Sequence, residues 1–182
     1  PYVTSYEYAD LHQLSTLWLD YTTDYKELRK DSIGSLYNSS KKVYTDLSEF
    51  EKHIVEKMQD GAKRKAVERY YVDMNNVVMK AYELLKENGI IVMVIGDTEY
   101  KGVKMQNARA LAERMLLNRF EILEITKRKI SNKFLPTHRD STGKFSSNKT
   151  DRKIYSQEYI LIGRKKQWVI QRNYILNHMH VC

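Results

Sequence analysis

An α/β fold is predicted by three features of the sequence. Val67, Tyr70, Tyr71, Met74, Val77, Val78, Ala81, Leu84 and Leu85 keep helical spacing for about five turns, the apolar run IIVMVI follows, and a second helix and strand come after it.

Along the chain, the first signal is Leu11, Leu14 and Trp18, a stripe that predicts a helix ending near Asp20. Tyr2, Tyr6 and Tyr8 stand in the turn that feeds it. From Tyr21 to about Tyr44 the periodicity is lost, and KDSIGSLYNSSKK has the composition of a long loop. Leu47, Phe50, Ile54 and Met58 then share one face of a short helix expected over 46–59, closed by Asp60 and Gly61.

The long helix is expected to close at ENG, with Gly89 at its C-terminal position. Ile90 to Ile95 show no alternation, as expected of a strand buried on both faces of a parallel sheet. After GDT at Gly96 to Thr98, the residues Met105, Ala108, Leu111, Ala112 and Met115 mark a second amphipathic helix. NRFEILEIT supplies the next strand and EYILIG, Glu158 to Gly163, the last. About thirty residues lie between these two strands, and a connection of that length in a compact domain is usually functional or disordered.

Composition narrows the class. The chain has 182 residues, 42% hydrophobic and 30% charged, enough for one domain. Its longest apolar run falls far short of the roughly 20 residues that span a bilayer. The first residues carry no basic start followed by an apolar block, and the single cysteine, Cys182, permits neither an internal disulfide framework nor a cysteine zinc cage. A reducing, cytoplasmic compartment is expected. His178 and His180 near Cys182 have metal-binding chemistry, although a tail is the simpler reading of 167–182, and no metal is expected.

Charge is unevenly spread. Residues 1–126 hold 18 Lys and Arg against 20 Asp and Glu, whereas 127–182 hold 13 against 3. Lys127, Arg128, Lys129, Lys133, Arg139, Lys144, Lys149, Arg152 and Lys153 fall in the long connector, spaced by Ser, Thr, Asn and Gly. Such a segment cannot bury itself but can follow phosphates, so a DNA-holding loop, mobile without DNA, is one expectation and a solvated connector the other.

PYVTSYEYADLHQLSTLWL, LRKDSIGS, LLKENGIIVMVIGDT and LPTHRDSTGKF, in this order, resemble the second half of the amino-methylating DNA methyltransferases, which act on adenine N6 or cytosine N4. The resemblance runs with gaps from Pro1 to about Lys166. It implies a Rossmann-like, S-adenosylmethionine-dependent methyltransferase sheet, truncated in its N-terminal half, whose last two strands pair as an antiparallel hairpin. Residues 1–166 would be the C-terminal, catalytic and target-binding part of that domain, with a helical or loop insertion at about 21–61 and a basic loop at about 127–157.

In that family a Ser-Pro-Pro-Tyr or Asp-Pro-Pro-Tyr motif ends a strand, and Pro1 and Tyr2 look like its last two residues. The motif suits its chemistry. An exocyclic amine conjugated to a base ring is a poor nucleophile, and a polar side chain with a proline-flanked carbonyl can hold it as its nitrogen becomes tetrahedral. The aromatic, here Tyr2, would stack on the flipped-out base. Tyr6, Tyr8, Asp10 and His12 lie close by in sequence, with surface or core packing the simpler role for each. Asp97, after a buried strand, either lines the pocket or caps the next turn.

Two parts of the family pattern are missing. The acidic or Ser residue and the first Pro would precede Pro1, and none of the seven glycines forms the GxG loop that usually holds S-adenosylmethionine. The chain is therefore expected to be a fragment, or to work with a partner carrying the cofactor loop. A non-catalytic basic nucleic-acid module and an RNA or protein amine methyltransferase are the alternatives.

Overall fold

The computed structural model describes residues 3, 8–21, 24–30, 32–35, 46–59, 61–130, 138–140, 144–153 and 157–166. Its first elements are short helices: α1 (Tyr8–Leu11), α2 (Gln13–Trp18), α3 (Tyr25–Lys30) and α4 (Glu49–Glu56). The long helix α5 (Ala62–Leu84) leads into strand β1 (Ile90–Ile95), the two-residue strands β2 (Glu99–Tyr100) and β3 (Val103–Lys104), and helix α6 (Asn107–Leu117). Strand β4 (Phe120–Lys129) follows, then the short β5 (His138–Arg139), β6 (Phe145–Ser146) and β7 (Arg152–Lys153), and finally β8 (Gln157–Lys165).

The main sheet has the order β1-β8-β4. β8 is antiparallel to both neighbours, so β1 and β4 run parallel with β8 inserted between them and α6 as their crossover. The expected antiparallel pairing of the last two long strands is present, with a register shift between Ile122 and Glu124. The run IIVMVI is a strand, but its setting differs from the prediction. It pairs antiparallel with β8 and is covered on one face only. Ile91, Met93 and Ile95 pack toward the core, while Ile90, Val92 and Val94 are exposed. Both faces being apolar, the sequence showed no alternation to reveal this.

The core lies between that covered face and α4, α5 and α6. Val67, Tyr70, Tyr71, Met74 and Val78 of α5 meet Ala108, Leu111 and Met115 of α6, with Phe120 and Leu161 from the sheet. Helix and strand approach closely at Gly163, where an added Cβ would collide with the Met115 Cε. A capping box starts α4, Ser48 Oγ accepting from the Glu51 amide and Glu51 accepting from the Ser48 amide. Arg69 of α5 donates to the Lys30 carbonyl and to Asp73, whose carboxylate accepts from the Gly34 amide, so Lys30 and Gly34 are held against α5.

Several local expectations are corrected. Leu11, Leu14 and Trp18 do not form one buried stripe: the helix is interrupted at His12, and the three side chains are 61%, 84% and 89% exposed. The span read as a loop from Tyr21 contains α3. At the end of α5, Asn88 rather than Gly89 adopts the left-handed conformation, with φ of 60°. Within the basic connector β4 runs on to Lys129, and β5 pairs with both β6 and β7 to make a second, three-stranded sheet where no structure was predicted.

Candidate functional site

The carboxyl end of β1 is the best-defined polar site. Ile95 is buried, and the chain then turns through Gly96, Asp97 and Thr98 into the β2–β3 hairpin. Lys101 and Gly102 both have positive φ, the geometry of a tight two-residue turn matched to strand twist. The hairpin returns the chain to α6, where Met105 donates its amide to the Thr98 carbonyl over 2.9 Å and accepts at its own carbonyl from the Tyr71 hydroxyl over 3.0 Å.

Asn107 and Asp97 join the strand end to the helix start. The Asn107 amide nitrogen donates to the Gly96 carbonyl (3.0 Å) and the Thr98 hydroxyl (3.1 Å). The exposed Asp97 accepts at Oδ1 from the Ala108 amide over 3.1 Å, satisfying one of the free donors of the first turn of α6. Asn107 is 1% exposed, and its Oδ1 has no hydrogen-bond partner among the described residues. The site thus combines an exposed carboxylate with a buried, unengaged amide oxygen, which is chemistry for accepting hydrogen bonds. Asp97 was legible as a residue following a strand; Asn107 was missed, since its role depends on the hairpin that folds it back.

Tyr71 lies behind this loop, and burial pushes its hydroxyl well above the usual tyrosine range, helped by Tyr70 and by the charges of Glu51 and Asp97. Burial does the same to Tyr70. Both are neutral packing groups at physiological pH.

Pro1, Tyr2 and Tyr6, read as the base platform and its neighbour, lie outside the described residues, as do His178, His180 and Cys182. Val3 is 3% exposed and belongs to the core. Asp10 pairs with Arg29, whose Nε donates over 2.6 Å, and His12 is exposed at the start of α2.

Lys133 lies outside the described residues, and the described basic residues of the connector divide between two places. On β4, Lys127 stands 5.4 Å from the Tyr159 ring centre and Arg128 pairs with Glu158. The small sheet gathers Lys144, Lys149, Arg152 and Lys153: the first two are exposed, and the other two form β7, opposite Arg139 and His138. Its β5–β6 turn is closed by Asp140 and Lys144, the Asp140 amide donating to the Lys144 carbonyl and the Lys144 amide to Asp140 Oδ1, each over 3.0 Å. Nothing among the described residues joins this sheet to Asp97 by a hydrogen bond or ion pair.

The five glycines whose surroundings are described make no loop for S-adenosylmethionine. A Cβ at Gly34, Gly89 or Gly163 would crowd the chain's own atoms, and Gly61 and Gly102 stand in open turns. Among the described residues no group of three or more His, Cys, Asp or Glu is placed to hold a metal, and no helix is long and apolar enough to cross a membrane.

No protein-family model and no curated protein matches the chain. Among solved structures it is similar to TTHA0409 of Thermus thermophilus, described as a "Putative DNA Modification Methylase". The selenomethionine derivative overlaps at 18% identity and a TM-score of 0.40, covering 57% of this chain and 39% of that one. The complex of TTHA0409 with S-adenosyl-L-methionine overlaps at 17% identity and the same TM-score, covering 60% and 42%. The chain therefore spans about two fifths of the length of these structures.

Proposed function

We propose that these residues are the target-binding part of a DNA methyltransferase that moves a methyl group from S-adenosylmethionine to an exocyclic amine of adenine or cytosine. The observation that carries the reading is the antiparallel pairing of β4 with β8, the terminal hairpin implied by the sequence resemblance. In this reading Pro1 and Tyr2 hold and stack the target base, and Asp97 offers an acceptor from the end of β1.

In this reading the loop that holds the cofactor is supplied by further polypeptide, either continuous with this chain or a partner, since the described glycines make no such loop. The exposed Ile90, Val92 and Val94 support this. They stand on a strand that, among the described residues, pairs only through β8, and unblocked apolar edges of this kind favour strand addition. Taken alone, the 182 residues should not catalyse. Titration calorimetry with S-adenosylmethionine checks this: no heat of binding is expected, and clear micromolar affinity would contradict it.

A second reading, a non-catalytic DNA-binding module, is favoured by the charge of 127–182 together with the missing glycine loop. Methyl transfer by the complete gene product separates the two. DNA binding without transfer would favour the module.

A further inference from the structure

Phe145 is the single apolar residue in the sixteen-residue stretch from His138 to Lys153, which carries five Lys and Arg against two Asp. It is 49% exposed. The small sheet that bears it is made of two-residue strands, and nothing apolar in its own sequence is available for Phe145 to pack on. An exposed aromatic at such a position does not stabilise a core.

The ring is nevertheless held. Arg139, its partner across the β5–β6 ladder, places its guanidinium 4.4 Å from the ring centre, within the range of a cation–π contact. That contact occupies one side of the ring. The β5–β6 turn is fixed by the paired Asp140 and Lys144 hydrogen bonds, and the turn into β7 by the Asp151 amide donating to the Asn148 carbonyl. Lys144 and Lys149 are exposed on the same sheet, and Arg152 lies opposite Arg139 on the other side of the ladder. A positioned aromatic ring amid cations is the arrangement by which single-stranded DNA is bound, bases stacking on the ring while the cations neutralise phosphates.

We propose that Phe145 is a base-stacking residue that takes an unpaired DNA base on the ring face not covered by Arg139. The proposal rests on the DNA reading above and extends it, giving the basic segment a contact that phosphate neutralisation alone does not supply. It assigns the sheet a preference for DNA that is locally open over DNA that is fully paired, because a stacked base in a closed duplex has no free face to offer.

The test is fluorescence anisotropy with the full chain on two labelled DNAs, one fully paired and one with a short unpaired gap, across a salt series. The parent is expected to prefer the gapped DNA, and Phe145→Ala to lose on the order of tenfold in affinity for it with an unchanged salt slope. Phe145→Trp should keep the preference, with its indole fluorescence quenched by gapped DNA. Phe145→Leu, which keeps apolar bulk without a π face, should behave as Ala does. Retention of the preference by Phe145→Leu or Phe145→Ala would overturn the stacking role alone, whereas a parent that binds neither DNA would overturn the DNA reading as well.

Discussion

Arg114 of α6 forks onto Glu51 of α4, Nε to Oε1 at 2.9 Å and Nη2 to Oε2 at 2.5 Å, with both side chains buried. The same guanidinium donates to the Asp46 carbonyl, and Ser48 Oγ donates to Glu113, so the start of α4 is fixed to α6 by charge as well as by packing. Breaking one side of such a pair strands a charge in the core.

Arg114→Met should therefore destabilise the fold by about 3–5 kcal/mol, leaving Glu51 without its cation. The Glu51→Gln/Arg114→Met pair should lose less than the sum of the two single changes, because each single change already breaks the bond they share. Urea denaturation of the four proteins measures both.

Stability should fall in alkali. Tyr70 and Tyr71 hold their protons above the ordinary tyrosine value of about 10 when folded, chiefly through burial, so the unfolded chain loses these protons first. Their contribution is intact below about pH 10 and declines above it, by up to about 1.4 kcal/mol per pH unit for each ring. Replacing both by Phe should flatten the decline of the unfolding free energy above about pH 10, as read from urea midpoints.

Asp97 separates a capping role from a chemical one. Asp97→Ala should cost about 1 kcal/mol through loss of the bond from the Ala108 amide, and Asp97→Asn, which keeps an acceptor, much less. If Asp97 also faces the target base, Asp97→Asn in the complete enzyme should lower methyl transfer while leaving the urea midpoint in place.

The cations of the small sheet should show in salt dependence. Changing Lys144, Lys149, Arg152 and Lys153 together to Gln should weaken DNA binding and flatten the slope of log affinity against log salt by up to about four phosphate contacts, roughly 0.9 each. An unchanged slope with the fold intact would mark the segment as a solvated connector.

What could be read beforehand followed from where local pattern matches tertiary setting. Most of the α5 stripe and of the α6 stripe lies on the core faces of real helices, although Leu84 is 76% exposed and Leu85 and Met105 fall just outside them, and β4 and β8 are strands where their apolar runs lie. The stripe at Leu11, Leu14 and Trp18 has the same spacing and no core behind it, since spacing specifies a face and not what covers it. IIVMVI is apolar on both sides, so its period could not tell one buried face from two. The small strands β2, β3, β5, β6 and β7 are two residues each, too short for any period; Lys101 and Gly102 mark one hairpin only through their positive φ. At the site, Asp97 was legible from its place after a strand, but Asn107 acts across a hairpin that had not been foreseen. The base platform at Pro1 and Tyr2 rests on sequence alone.

Methyl transfer is read by incubating DNA with S-adenosylmethionine labelled in its methyl group and the complete gene product, with any partner chain that co-purifies, then digesting the DNA to nucleosides. Label is expected in N6-methyladenine or N4-methylcytosine, lost on changing Tyr2 to Ala and absent with the 182-residue chain alone. DNA that is bound but carries no label on either base would contradict the methyltransferase reading.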